Sequence, residues 1–225
     1  MSDIPWQAAV EAVKPYVVRV STPDHSGTGF LFAFAAGGQI CGIATAAHAL
    51  AQAQIWEQPV RVDHHESGAE RLVRPDERSI VVDEETDTAA LVLVRDGFPL
   101  PDRLLPTTPE ELHHRVGVEI GWVGFPSVAR DRLCFFSGRV SAWHDEKRAY
   151  LVDGVAVNGV SGGPAFAFDD SGRLQLLGVV SAYLPNKAAG SSLPGLSVVQ
   201  HIGHLAKWVE SLRSIEAGYG RGSSD

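Results

Sequence analysis

The residue of this sequence whose type and setting most suggest chemistry is Ser161, which lies among glycines in the segment NGVSGGPAF at residues 158–166. A serine hydroxyl is a poor nucleophile at neutral pH. It attacks a carbonyl when a nearby base takes its proton and a third group orients that base. Glycine and serine are also common in turns, so this segment alone does not separate a nucleophile from a turn. The rest of the sequence must supply the base and its orienting group.

Two polar residues next to apolar segments are candidates for these roles. His48 in GIATAAHAL directly follows an apolar stretch, which places its imidazole at the end of a predicted strand. Asp87 in TDTAALVLV directly precedes an apolar run, so its carboxylate is drawn toward the interior, although a strand-entry turn is the ordinary interpretation of such an aspartate. In the order His, Asp, Ser, the three residues supply the base, the orienting carboxylate and the nucleophile of acyl transfer.

The glycines around the serine favour the same chemistry. Gly159 lets the backbone adopt an unusual turn, so that its N–H and the N–H of Ser161 point into one small site. Two such donors stabilise the oxyanion that develops during acyl transfer. Gly162 and Gly163 leave room for the backbone of a substrate. This chemistry needs no cofactor.

The elements that must position these residues are predicted to be short strands. β-rich segments separated by Gly, Asp and Pro fill residues 16–96 and 113–198, and a proline-rich stretch without periodicity, 97–112, links them. Such spacing is typical of an antiparallel sandwich or barrel and not of βαβ units. The fold class is therefore predicted to be all-β, with two β-rich halves of similar size. Because His48 and Asp87 belong to the first half and Ser161 to the second, the site is expected where the halves meet.

A helix is predicted at each end of this single domain, residues 1–225. The segment WQAAVEAVK at 6–14 predicts a short helix that ends before Pro15. Residues 199–215 predict an amphipathic helix that packs against the body. Its apolar face consists of Val198, Ile202, Leu205, Val209 and Leu212.

Composition and charge exclude several other classes. The formal net charge is -8 and no basic stripe is present, so a nucleic-acid partner is not expected. Neither a leader peptide nor an apolar run of about 18 residues is found, which predicts a cytoplasmic protein without membrane association. Cys41 and Cys134 are predicted to be small buried hydrophobes and not a disulfide. His201 and His204 have a spacing that can bind a metal, but no third ligand is evident, so no metal is predicted.

The motifs TAAH, DTAALVLV and GVSGGP resemble the three signatures of the chymotrypsin-fold (trypsin-like) serine peptidases. The flanking segments VEAVKPYVVRVST, SGTGFLF, GWVGFPSV and FFSGRVS resemble the bacterial HtrA/DegP-like protease domain, without a PDZ domain. The resemblance covers roughly residues 9–205. It implies two packed six-stranded antiparallel β-barrels and a serine endopeptidase. It also implies that His48 is the general base, Asp87 its orienter and Ser161 the nucleophile, with an oxyanion hole formed by the N–H groups of Gly159 and Ser161.

The same resemblance implies a pocket for the substrate residue before the scissile bond (P1). The pocket walls would be Val155, Ala156, Val157, Asn158, Ser181, Ala182 and Tyr183. Val155 falls at the pocket base, where no acid is present, so cleavage after Lys or Arg is not favoured. Tyr183 shortens the pocket, which predicts small or medium apolar P1 side chains. The backbone of Ser181 is expected to pair with the substrate strand.

One residue departs from the family pattern. Val160 stands where trypsin-type enzymes carry an aspartate that receives a new N-terminus on activation, and where the HtrA branch usually has asparagine. Without such a polar group, the resting loop is not locked by an ion pair. This predicts that a protein partner or the substrate orders residues 155–160, so the expected partners are a protein or peptide substrate and a regulatory protein.

Two alternatives remain open at this point. Gly159 to Gly163 also satisfy G-x-S-x-G, the nucleophile elbow of α/β-hydrolase esterases, for which Asp169, Asp170, His201 and His204 would supply the later triad members. The elbow serine must open a helix, whereas the sequence after Ser161 continues as a short strand and turn. The second alternative is a pseudoprotease, a module that binds peptides without cutting them.

Overall fold

The first half of the chain folds into a seven-stranded antiparallel sheet. The protein is described here by a computed structural model that covers residues 6–188, 191–210 and 212. The strands of the first sheet are β1 (Val17–Ser21), β2 (Ser26–Ala35), β3 (Ile40–Ala46), β4 (Val60–His64), β5 (Glu70–Val73), β6 (Arg78–Asp83) and β7 (Thr88–Val94). Their order in the sheet is β5-β4-β1-β2-β3-β7-β6.

This half differs in detail from the predicted closed barrel of six strands. The sheet has seven strands, and its two edge strands, β5 and β6, are joined by the 3₁₀ turn Pro75–Glu77. Pro75 has no amide hydrogen and cannot continue a strand ladder, so the chain turns at this point and the sheet forms an open half-barrel.

The second half is a closed six-stranded antiparallel barrel, as predicted. Its order is β10-β13-β12-β11-β8-β9. The strands are β8 (Glu119–Gly124), β9 (Cys134–His144), β10 (Ala149–Asp153), β11 (Pro164–Phe168), β12 (Leu174–Ala188) and β13 (Ser191–His201). The all-β, chymotrypsin-like fold class predicted from the sequence is therefore confirmed.

The alternation of side chains along β2 explains how the two halves pack. Leu31 lies inside the first sheet, whereas Phe30 and Phe32 on either side of it point to the opposite face. There they join a cluster with Phe166 of the barrel, and all three phenylalanine side chains are less than 9% exposed. Burial of one such side chain contributes about 1.5–3 kcal/mol, so this shared core holds the two halves together.

Two α-helices are found in the first half of the described residues. The helix α1 (Trp6–Val13) occupies the predicted place and buries Ala9 and Val13 in the core shared by the two halves. The helix α2 (Ala47–Ile55) was not predicted, because the alanines before it read as the end of a strand. Within the described residues, no helix has the length and apolar character needed to cross a membrane.

The C-terminal helix begins later than predicted. Val199, Gln200 and His201 belong to β13, because Val199 pairs with Tyr150 and Gln200 with Ala149 of β10. A 3₁₀ turn, Ile202–Leu205, follows, and residues 206–210 are helical. Of the predicted apolar face, Ile202, Leu205 and Leu212 are buried in the shared core. Residues 211 and 213–215 of the predicted helix lie outside the described residues.

Candidate active site

Pairing between β3 and β7 brings His48 and Asp87 together. Ala46, the last residue of β3, lies opposite Thr88, the first residue of β7. His48 follows β3 in the first turn of α2, and Asp87 directly precedes β7. The His48 Nδ1 atom lies 3.0 Å from both Asp87 carboxylate oxygens, and the backbone N–H of His48 donates to Oδ1 at 3.1 Å. The carboxylate thus orients the imidazole and also caps the first turn of the helix that carries it.

The backbone of Asp87 has a conformation that is uncommon for a residue with a side chain. Its φ is 48°, in the left-handed region, where aspartate is among the few tolerated non-glycine residues. The preceding turn is held by Asp83, whose Oδ1 accepts hydrogen bonds from the N–H groups of Glu85 (3.1 Å) and Thr86 (3.3 Å). The Asp87 carbonyl oxygen then accepts from Ala47 N at 3.1 Å. These bonds fix the carboxylate relative to α2.

Ser181 is a partner of Asp87 that the sequence analysis placed elsewhere. Its hydroxyl donates to Asp87 Oδ2 at 2.7 Å, and the residue is only 2% exposed. The two residues are 94 positions apart in the chain, so no local motif predicts this contact. Ser181 comes from β12 of the barrel and Asp87 from the first sheet, so the hydrogen bond connects the two halves at the site.

These contacts shift the pKa values of the pair in opposite directions. Burial disfavours ionisation of Asp87, but its hydrogen bonds with His48 and Ser181 outweigh burial and lower the pKa of the carboxyl. The hydrogen bond with Asp87 raises the pKa of His48 above its ordinary value of 6.5, although burial opposes the shift. An ionised Asp87 accepts a hydrogen bond from Nδ1–H, so the neutral His48 keeps Nε2 as a proton acceptor.

The turn that carries Ser161 requires two of its glycines. Gly159 has a φ of 90°, and a methyl group on it would lie 2.3 Å from the Phe125 carbonyl oxygen. Gly162 has a φ of 88°, and a methyl group there would lie 2.0 Å from the Thr28 carbonyl oxygen. Both the backbone conformation and the available space exclude a side chain. The sequence therefore turns sharply on each side of the serine.

Thr28 of β2 holds this turn from the opposite half of the protein. Its N–H donates to the Ser161 carbonyl oxygen at 2.9 Å, and its hydroxyl donates to the Gly159 carbonyl oxygen at 2.8 Å. The same hydroxyl accepts from Phe125 N at 3.0 Å, and Thr28 is completely buried. The sequence analysis did not identify Thr28, and its position 131 residues before Gly159 gives no local signal.

Val160 anchors the same turn from inside the barrel. Its side chain is completely buried in the barrel core with Ile120, Trp122 and Leu177, and its N–H donates to the Val157 carbonyl oxygen at 3.1 Å. Apolar packing therefore occupies the position where the resemblance implies an aspartate or asparagine. Within the described residues, the N–H groups on either side of it, those of Gly159 and Ser161, donate to no protein acceptor.

A cavity of about 690 Å³ opens beside these groups at the junction of the two halves. His48, Ser161 and Gly159 line it together with residues of the β1–β2 turn and of the segment 125–130. Of the predicted S1 residues whose side chains the structure describes, Asn158 alone lines it. The cavity is therefore a different subsite from the predicted S1 pocket.

The other predicted S1 residues have varied surroundings. Val155 is 48% exposed, Ala156 and Val157 pack against the barrel core, and Ala182 is exposed. Ser181 is buried, with its hydroxyl on Asp87, and the side chain of Tyr183 lies outside the described residues. Their role as S1 walls stays a prediction.

The nucleophile-elbow alternative is wrong, because β11 and not a helix follows Ser161. Its proposed histidines are also engaged elsewhere. His201 Nε2 bonds to the Leu112 carbonyl oxygen at 2.9 Å, and Nδ1 accepts from Gly203 N at 3.1 Å. Burial lowers the pKa of His201 to about 4. Asp169 accepts hydrogen bonds that close its own turn, including one from Ser171 N at 2.9 Å.

The cysteines and the two histidines of the last element, His201 and His204, have other surroundings. Cys41 and Cys134 are free thiols, and burial raises the pKa of Cys41 to about 11. His204 Nε2 bonds to backbone carbonyl oxygens of Lys147 (3.0 Å) and Arg148 (3.2 Å). Across residues 6–188, 191–210 and 212, no group of three or more metal-ligating side chains is found.

Comparisons with known proteins bear on the family and the fold of the chain. The family model described as trypsin-like peptidase domain matches residues 27–179. The fold matches a serine endoprotease from Yersinia pestis with a TM-score of 0.68 and 18% identity, covering 94% of this chain and 68% of that one. It also matches the inactive form of the Rv3671c protease with a TM-score of 0.62 and 20% identity, covering 91% and 92% of the two chains. A second structure of the inactive form of Rv3671c, from M. tuberculosis, gives the same TM-score and identity. It covers 91% of this chain and 89% of that one. No curated protein sequence matches the chain.

Proposed function

Because the chain belongs to the trypsin-like peptidase domain family, we propose that it is a serine endopeptidase that cuts peptide bonds through an acyl-enzyme. The observation that best supports this function is the shared cavity. Ser161 lines it together with His48, whose Nδ1 is bonded to Asp87 on the other side of the ring. A nucleophile, a base and an orienting carboxylate are the three groups that acyl transfer needs.

In the proposed mechanism, Ser161 Oγ attacks the peptide carbonyl carbon while His48 Nε2 accepts the hydroxyl proton. Asp87 stabilises the resulting imidazolium, and the carbonyl oxygen becomes an oxyanion that accepts hydrogen bonds from the N–H groups of Gly159 and Ser161. The C–N bond then breaks, and the amine leaves with the proton from His48. Water attacks the acyl ester with His48 again as the base, which releases a carboxylic acid and restores the serine.

The resting geometry supports a site that tightens when substrate binds. Within the described residues, Ser161 Oγ makes no hydrogen bond to His48, although both residues line one cavity. Such bonds are often long without substrate and shorten in the complex. The unengaged N–H groups of Gly159 and Ser161 are available to an incoming carbonyl oxygen. This supports an oxyanion hole that Thr28 and Val160 hold without an ion pair.

The proposed P1 preference is for small or medium apolar side chains. Support comes from Val155, which stands where a basic P1 residue would require an acid. A library of peptides that differ only at P1 would test this preference. The HtrA-like relationship, the cytoplasmic location and the regulatory protein partner also stay predictions.

A fluorophosphonate probe tests the function directly, because it forms a covalent bond only with an activated serine. The labelled residue would be identified by mass spectrometry. We expect labelling at Ser161 that is lost in Ser161→Ala and in His48→Ala, with both variants folded by circular dichroism. Absence of labelling in the parent protein would contradict the proposed enzyme and favour the alternative of a peptide-binding module.

A further inference from the structure

The cavity beside the proposed nucleophile extends away from the predicted S1 walls. Ser161 and His48 line it together with the β1–β2 turn, Arg19 and Arg130. In the proposed mechanism, His48 hands its proton to the leaving amine, so the part of the substrate that follows the scissile bond must lie on the His48 side. The cavity therefore has the position of a subsite for the leaving-group residues.

Two arginines that line this cavity have no acidic partner among the described residues. Arg19 stacks its guanidinium over the Phe125 ring at 4.8 Å and also donates to the Arg130 carbonyl oxygen. Arg130 Nε donates to the Ser127 carbonyl oxygen at 3.4 Å. Within the described part of the chain, neither guanidinium forms an ion pair with a carboxylate. This is notable in a chain of net charge -8, which has more acids than bases.

A carboxylate also lines the cavity, and a histidine lies behind the Phe125 ring. Asp24, a carboxylate residue that lines the cavity, accepts a hydrogen bond from Gln58 Nε2 at 2.9 Å. Behind the Phe125 ring lies His65, with ring centroids 5.5 Å apart. Burial lowers the pKa of His65, and the nearby cations Lys14 and Arg19 add to this effect. Among the described residues that line the cavity, two arginines therefore stand against one carboxylate, so the lining is positive on balance.

The segment 125–130, which carries Arg130, is also hydrogen-bonded to the turn that would bind the oxyanion. Ser127 N donates to the Asn158 carbonyl oxygen at 2.7 Å, directly before Gly159. A group bound by Arg130 would therefore lie close to the reacting carbonyl. Guanidinium groups bind carboxylates through paired, charge-assisted hydrogen bonds.

We propose that Arg19 and Arg130 select a carboxylate on the second substrate residue after the scissile bond. The carboxylate is either an Asp or Glu side chain or the free C-terminus of a short leaving peptide. This inference rests on the proposed function. It adds a substrate preference set by the leaving-group side of the site, independent of the P1 residue.

Acyl transfer to competing amines tests the preference. An N-acetyl-Ala-Val thiobenzyl ester acylates Ser161 and releases a thiol. A dipeptide amine then attacks the acyl ester to form an amide and restore the serine. The acceptors are Gly-Glu-amide, Gly-Gln-amide, Gly-Lys-amide and Gly-Gln with a free carboxylate, and the amide products are quantified by mass spectrometry. Comparison of the first and last acceptors with Gly-Gln-amide separates a side-chain carboxylate from a terminal one.

We expect a carboxylate acceptor to be used about five- to tenfold more efficiently than Gly-Gln-amide at low salt, the range for a partly screened, charge-assisted contact. Gly-Lys-amide should be the poorest acceptor. The ratio should fall as salt screens the arginines. Arg130→Gln should reduce it to about one- to twofold by removing that contact. Arg103→Gln changes an exposed arginine outside the cavity and should leave the ratio unchanged.

The possible outcomes distinguish a failure of this inference from a failure of the proposed peptidase function on which it rests. Thiol release without any carboxylate preference, or with a preference that survives Arg130→Gln, would overturn the inference and leave the peptidase assignment intact. Failure of both thiol release and fluorophosphonate labelling would overturn the peptidase assignment and the inference with it. The readout is a ratio between two acceptors used by the same enzyme sample. Partial misfolding of a variant lowers both rates by the same factor and therefore leaves the ratio unchanged.

Discussion

Replacement of Thr28 by valine tests whether the first sheet positions the serine turn. Valine keeps nearly the same shape, so the change removes the hydroxyl with little loss of packing. That hydroxyl donates to the Gly159 carbonyl oxygen at 2.8 Å and accepts from Phe125 N at 3.0 Å. Thr28→Val should therefore weaken the turn that presents Gly159 N–H and Ser161 N–H to the substrate.

The magnitude follows from the burial of the groups left unpaired. Phe125 is only 5% exposed, so its amide loses a partner where water does not replace it. A buried donor without an acceptor costs about 1–3 kcal/mol. If the turn must be ordered to bind the oxyanion, a loss of this size lowers kcat/KM about 5- to 150-fold, since each 1.36 kcal/mol is a factor of ten. The effect should appear mainly in kcat, because the oxyanion forms after the substrate is bound.

The assay combines a rate with a stability measurement. The rate of fluorophosphonate labelling at Ser161 and the turnover of an ester substrate report on the turn, and urea unfolding reports on the fold. Thr108→Val is the matched control, because Thr108 is 5% exposed and its Oγ1 has no hydrogen-bond partner within the described residues. The control should keep the labelling rate and the stability of the parent. Parent-like labelling by a Thr28→Val protein that has lost stability would refute the reasoning, since the turn would then be ordered without Thr28.

Two further substitutions test the His48–Asp87 pair and the turn around Ser161. The Asp87 hydrogen bond raises the pKa of His48 above 6.5, and a base must be unprotonated to act, so ester turnover should fall as pH drops through a midpoint above 6.5. In Asp87→Asn, NMR titration of the His48 ring should give a lower midpoint, and an unchanged midpoint would contradict the assigned contact. Gly162→Ala should abolish labelling and lower the urea midpoint, because the methyl group would lie 2.0 Å from the Thr28 carbonyl oxygen. Its control, Gly172→Ala, has a φ of 76° but no neighbouring atom within 4 Å, so it should cost only backbone strain of about 1–2 kcal/mol. Equal losses in the two glycine variants would show that backbone conformation, and not the close approach of Thr28, limits residue 162.

The sequence predicts the β architecture because the strands are short, apolar and separated by turn residues, and these signals are local. It does not predict the helix α2, and the cap of that helix explains why. Ala46 occupies the N-cap position without a side-chain hydrogen bond. The Asp87 carboxylate, 39 residues away, accepts the His48 N–H instead. A helix that receives its cap from a turn far away in the sequence carries no start signal of its own.

The same distinction applies to the candidate site. His48, Asp87 and Ser161 are found from their own flanking motifs. Thr28 and Ser181 are not, because both act through long-range hydrogen bonds that appear only when the two halves are packed. The open edge of the first sheet and the late start of the C-terminal helix likewise depend on which strands pair, and side-chain pattern alone leaves that undecided.

The contacts of the site also indicate how the serine turn is held although Val160 cannot form an ion pair. The serine turn is held from the barrel side by the buried Val160 and from the other side by Thr28 of the first sheet. Conversely, Ser181 of the barrel donates a hydrogen bond to Asp87 of the first half. Each half therefore supplies a hydrogen bond that orders the functional group of the other half. Order in the proposed site is thus coupled to the packing of the two halves, and any ligand that shifts that packing would act on Ser161 and Asp87 together.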